Sequence, residues 1–97
     1  MVTFIAHHVV TDYEAWISWG RESAQGSRDL LAQMGVVNSR VYRTADNSEV
    51  FVMHTCDNLE AAQKMAEMAG SAEHIANVEK NGGAPPYSFW IAEEVEI

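Results

Sequence analysis

The chain has 97 residues, of which 47% are hydrophobic and 21% charged, the proportions of one soluble globular domain. Its 14 acids against 6 bases leave a net charge of −8, which argues against nucleic acid or an anionic membrane as partner, because both are bound through a basic surface. A chain this short buries only about 60–65% of its unfolded surface when it folds alone, so a partner subunit is a common way to add core.

Val2–Val10 is apolar and β-branched and reads as a first strand. Phe4, Ala6, His8 and Val10 share one face, and Thr3, Ile5, His7 and Val9 the other. Both faces carry apolar groups, as in a strand covered on both sides. Thr11 then reads as an N-cap with Glu14 three residues on, a capping box opening a helix from Asp12 to about Met34. The inner face of that helix runs through Trp16, Ile17, Gly20, Ala24, Ser27 and Leu31 and is small in the middle. Either the helix lies close on the sheet there, or a cavity is left. Gly35 is placed to end it.

Val36–Thr44 and Glu49–Cys56 read as the second and third strands, joined by the turn residues Ala45 to Ser48. Asp57 and Glu60 suggest another capping box, opening a second helix with a small inner face. Gly70-Ser71 interrupts it, and Ser71 can cap a further helix to about Lys80. Asn81–Pro86 reads as a break and Tyr87–Val95 as the last strand. The order β-α-β-β-α-(α)-β is that of an α+β, ferredoxin-like split β-α-β domain over residues 1–97, a four-stranded antiparallel sheet with helices on one side. The first and third strands are expected as central neighbours, running parallel. The helix-free face of the sheet, also apolar, is expected to be covered by a second copy of the chain.

Cys56 is the only cysteine, so no intramolecular disulfide forms, which fits a reducing cytoplasm. The N-terminus shows no basic n-region followed by an apolar core, and no run approaches about 18 apolar residues, so neither a signal peptide nor a membrane span is expected.

The stretches Val10-Thr11-Asp12-Tyr13-Glu14-Ala15-Trp16, Gly35-Val36 leading to Arg40-Val41-Tyr42-Arg43, Glu49-Val50-Phe51-Val52, and Asp57-Asn58-Leu59-Glu60-Ala61-Ala62 resemble the small dimeric α/β-barrel proteins. That superfamily contains the antibiotic biosynthesis monooxygenases. The resemblance spans nearly the whole chain. It implies a homodimer that forms an α/β barrel, and an activity drawn from a range that includes cofactor-free oxygenases of aromatic polyketides, cyclases, lactone isomerases and haem enzymes. His8 matches a His that ends the first strand in the relatives most like this chain. His54 and Cys56 stand where those relatives are usually apolar, which suggests a pocket particular to this protein. No haem-ligand motif matches residue by residue, and no cofactor is expected.

His8 and His54 are the candidate catalytic pair, since a buried neutral imidazole can act as a general base near pH 7. With both at the C-terminal ends of parallel strands, they are expected within reach of each other; the alternative is a pair of hydrogen-bonded core histidines. His8, His54 and Cys56 together could hold a soft metal, but no CxxC or HExxH spacing supports it, and no metal is expected. Trp16, Tyr42 and Trp90 are candidate walls of an aromatic pocket, the alternative being plain core; Trp19 is expected half exposed, at the dimer interface or at the pocket mouth, where it would join them. His7 is expected to face the dimer partner, and His74 to be solvated. The readings left are an enzyme acting on a small hydrophobic or aromatic molecule and a non-catalytic dimer that binds a ligand. A cavity of about 300 Å³ or more reaching His8 between the first helix and the sheet favours the enzyme.

Overall fold

The computed structural model describes residues 1–97. The elements are β1 (Val2–Val10), α1 (Tyr13–Gln33), β2 (Val36–Arg43), β3 (Glu49–Cys56), α2 (Leu59–Ala69), α3 (Ala72–Lys80) and β4 (Gly83–Glu93). They form one four-stranded sheet in the order β2-β3-β1-β4, the ferredoxin-like α+β arrangement expected from the pattern. Every neighbouring pair is antiparallel, β1 with β3 included. The expected parallel pairing is therefore wrong. The α1 crossover returns the chain parallel to β1, and the β2–β3 hairpin then reverses it.

Two of the three helix starts are displaced by one residue from the expected caps. Asp12, not Thr11, caps α1, its Oδ1 accepting from the Ala15 amide at 3.1 Å. The Thr11 hydroxyl instead donates to the carbonyl of Gly82, 3.2 Å away, and the Thr11 amide donates to the same oxygen at 2.8 Å. That corner closes only because residue 82 is glycine. Its φ is +93°, and a Cβ there would lie 2.5 Å from the Asp12 carbonyl oxygen. Asn58 caps α2 rather than Asp57, whose amide bonds to the Gly35 carbonyl. Ser71 caps α3 as expected.

The expected break at Asn81–Pro86 is mostly strand. β4 begins at Gly83 and pairs with Val10, and the register shifts between His8 and Val9, where Pro85 and Pro86 bulge out between Ala84 and Tyr87. Proline lacks the ladder donor, and β4 is an edge strand, where that loss is tolerated.

The apolar core lies in two clusters on the helix side of the sheet. The larger joins Val2, Phe4 and Ala6 of β1 to Cys56 and to Ala61, Ala62 and Met65, with Leu31 and Met34 of α1 resting on it. The smaller joins Val10, Val50 and Trp16. Between these supports α1 buries nothing, and Trp16 is its one buried residue. On the other face of the sheet Tyr42, Phe51 and Trp90 stand exposed. There the His7 Nε2–H donates to the Glu49 carboxylate at 2.8 Å, and its ring packs 4.6 Å from that of Phe51.

Candidate functional site

The span of α1 between its two supports roofs a cavity of about 690 Å³. Gly20, Ser23, Ala24 and Ser27 form the roof, while Phe4, Ala6, Val52 and Phe89 of the sheet form the floor. The small residues that leave α1 without a core contact are thus what makes the space. Gly20 and Gly26 have nothing within 4 Å of where a Cβ would stand.

His8 closes one end. Its Nδ1–H donates to the Val9 carbonyl at 2.8 Å, which fixes the neutral tautomer and leaves Nε2 an acceptor. Nε2 makes no hydrogen bond within the chain, and it is not among the occluded polar atoms. It faces open space, and His8 is one of the cavity's lining residues. Burial lowers the His8 pKa; the bond to Val9 works against that, and His7 and His74 add to it. Trp16 meets the ring edge-on at 5.6 Å, and the Tyr87 ring lies 5.6 Å away on the β4 side. The Tyr87 hydroxyl donates to Glu79 of α3 at 2.9 Å, and burial together with that carboxylate pushes its pKa up to about 12. Trp16 is both plug and wall: it fills the corner beneath α1 and lines the cavity, and its Nε1 is the one buried side-chain polar atom without a partner.

His54 also lines the cavity, but not beside His8. Because β1 and β3 are antiparallel, His54 pairs with Phe4 and His8 with Val50. Four residues of strand, about 13 Å at the usual rise, separate the two histidines. The Ser39 hydroxyl lies 2.7 Å from His54 Nδ1, and the ring is parallel to that of Phe4, their centroids 6.3 Å apart. Burial lowers the His54 pKa as well.

Trp19 lines the cavity, its ring 6.1 Å from His74. Tyr42 and Trp90 do not line the cavity. Each lies on the opposite face of the sheet, Tyr42 paired with Phe51 and Trp90 with Ile5. The alternation of β2 and β4 separates them from His8, so their expected role as pocket walls is withdrawn. Cys56 is fully buried in the larger core cluster. No three side chains of the His, Cys, Asp or Glu type come together as a metal ligand set.

His74 is exposed, as its place on the polar side of α3 suggests, and it also lines the cavity, where partial desolvation lowers its pKa. It stands four residues before the buried Val78, on the same face of α3. Three histidines therefore face one cavity, with no carboxylate among its lining and Arg21 as its one formal charge.

These three histidines are expected to make the fold sensitive to acid. Each has a folded-state pKa below the ordinary 6.5, so the unfolded chain binds more protons and stability rises with pH across that window. Their contribution is complete above about pH 6.5 and is lost as the pH falls toward the lowered values. We expect the melting temperature to drop between pH 7.5 and pH 5, and a His8, His54, His74 triple Gln variant to flatten that slope. An unchanged slope would show that the acid response arises elsewhere.

Comparison with protein-family models gives no match, and comparison with curated protein sequences gives none. Solved structures do match. A monooxygenase from Streptomyces coelicolor in complex with the ligand nanaomycin D aligns over 99% of this chain and 88% of its own, at TM-score 0.73 and 11% identity. SnoaB, a cofactor-independent oxygenase from Streptomyces nogalater, aligns over 99% and 94%, at TM-score 0.70 and 14% identity. A dimeric ferredoxin-like protein from an uncultured marine organism aligns over 99% and 96%, at TM-score 0.71 and 9% identity. The chain shares their fold. That is the fold expected from the motifs of the first and third strands and the helix starts, and it spans the whole chain. No helix is long and apolar enough to cross a membrane.

Proposed function

We propose that the protein is a homodimer that binds a small, weakly acidic aromatic molecule in the α1 cavity and uses His8 as general base. The observation that carries this reading is His8 itself: one ring nitrogen held by Val9, the other an accessible acceptor at the end of a 690 Å³ space. The surroundings support it. A neutral imidazole in an apolar wall takes a proton from a phenol or enol, and the absence of lining carboxylates leaves nothing to repel the anion that forms. Oxygenation without a cofactor, cyclisation and isomerisation all begin from such an anion, and the neighbours include a cofactor-independent oxygenase.

The exposed Tyr42, Phe51 and Trp90 support a second copy over the bare face of the sheet. Light scattering at micromolar concentration is expected to give the dimer mass, and a monomer would overturn that part.

The base is tested with hydroxylated naphthoquinones and anthraquinones, whose anions absorb at longer wavelength than the neutral forms. At a pH where the free compound is neutral, the bound compound is expected to show the anion band. Binding in the neutral form alone would remove His8 as base.

A further inference from the structure

The cavity has a second polar end, which acid–base chemistry at His8 does not use. His54 lies across the floor from His8, about 13 Å along the strand direction, with Ala6, Val52 and the Phe4 ring between them. The two ends are built alike. In each, one ring nitrogen is held, by the Val9 carbonyl at 2.8 Å or by the Ser39 hydroxyl at 2.7 Å. In each, Nε2 makes no hydrogen bond within the chain and is not occluded. They need not act in the same sense. The carbonyl forces His8 Nε2 to be an acceptor, whereas a serine hydroxyl can donate to His54 Nδ1, which puts the proton on Nε2 and makes it a donor.

We propose that the cavity is a two-ended site in which one elongated apolar ligand spans from His8 to His54, with a hydroxyl at the first end and an oxygen acceptor at the second. This rests on the reading of His8 as the proton-accepting end and adds a length and a polarity to the ligand. Two or three fused rings cover the gap once a hydrogen bond of about 2.8 Å is allowed at each end. His54 is then a specificity-determining residue and Ser39 the residue that positions it. The Phe4 ring, parallel to that of His54 at 6.3 Å and stacked at 6.0 Å on that of Phe89, is part of the apolar floor between the two ends. A ligand with oxygen at one end alone would leave the imidazole at the other end without a partner in an apolar wall, which is how a site that hydrogen-bonds its substrate discriminates.

Dissociation constants and stoichiometry are to be measured by calorimetry for 2-hydroxyanthraquinone, which reaches one end, and 2,6-dihydroxyanthraquinone, which reaches both. The two-ended probe is expected to bind at least tenfold more tightly, at one molecule per protomer; a symmetric compound gains only twofold by statistics. His54→Leu is expected to bring the two affinities within twofold of each other by weakening only the two-ended probe. Ser39→Ala, on the exposed edge strand β2, is expected to do the same without touching the core. Equal affinities in the wild type, a ratio that survives both substitutions, or two molecules of the one-ended probe per protomer would each overturn the spanning mode. The anion band of the one-ended probe reports on His8 independently, so loss of the ratio with the band intact sinks the two-ended site alone, and loss of the band sinks the base.

Discussion

Replacing His8 by Gln is expected to abolish the anion band of bound hydroxyquinones and to lower turnover of any substrate the wild type converts by about 10²–10⁴-fold, the range a positioned proton acceptor supplies. Glutamine keeps a polar group near the Val9 carbonyl, and its amide cannot take up a proton near neutral pH. Affinity for neutral probes is expected to change little, since most of the contact area is apolar floor. The pH dependence has a definite sign. Burial lowers the His8 pKa, so the imidazole remains a competent base at neutral pH, and activity is lost as the medium is acidified through the lowered value. A variant that keeps the band, or a wild type whose activity rises on acidification, would contradict the assignment.

Phe4→Ala is expected to cost about 3–5 kcal/mol of folding stability, the usual range for emptying a buried aromatic site. Phe4 is 1% exposed, joins the larger core cluster and stacks with Phe89. A domain of this size has about 5–15 kcal/mol in total, so the variant is expected to stand close to unfolding, as urea titration with a two-state fit will show. The lost ring also opens the floor of the cavity. An apolar ligand is therefore expected to raise the melting temperature of the variant by more than that of the wild type. A cost under about 1 kcal/mol would mean that the sheet closes over the gap, contrary to the packing seen.

The fold was legible because it is written in periodicity. Strand alternation in Val2–Val10, the small inner face of α1, glycine after the first helix and the Gly70-Ser71 interruption each have a local cause that survives folding. His8 was legible for the same reason, as the last polar residue on the inner face of β1. The relation of His8 to His54 was not. It depends on strand direction, which a hairpin and a crossover set together and which no window of residues contains. Tyr42 and Trp90 failed because aromatic character does not say which side of a sheet a residue takes; only the register does, and β4 carries a bulge that must be placed first. His74 reads as solvated and is exposed; only its place at the cavity, which follows from its four-residue spacing to the buried Val78, needed the packing of α3 to be seen. The capping shifts at Asp12 and Asn58 are one residue each, the usual uncertainty of a helix end.

The unsupported middle of α1 divides labour between two elements. The histidines proposed to bind and move protons, His8 and His54, sit on the sheet, where each backbone is fixed by two neighbouring strands in β1 and β3. The groups that set the room available sit on the helix, at Gly20, Ala24 and Ser27, and at Gly20 a Cβ would meet nothing within 4 Å. On the proposed reading, the size of the space can thus drift by single substitutions along one helix face while the histidine ends stay as they are. A scaffold arranged in this way is easy to retune, and enlarging residue 20 is expected to narrow the space before it weakens the fold.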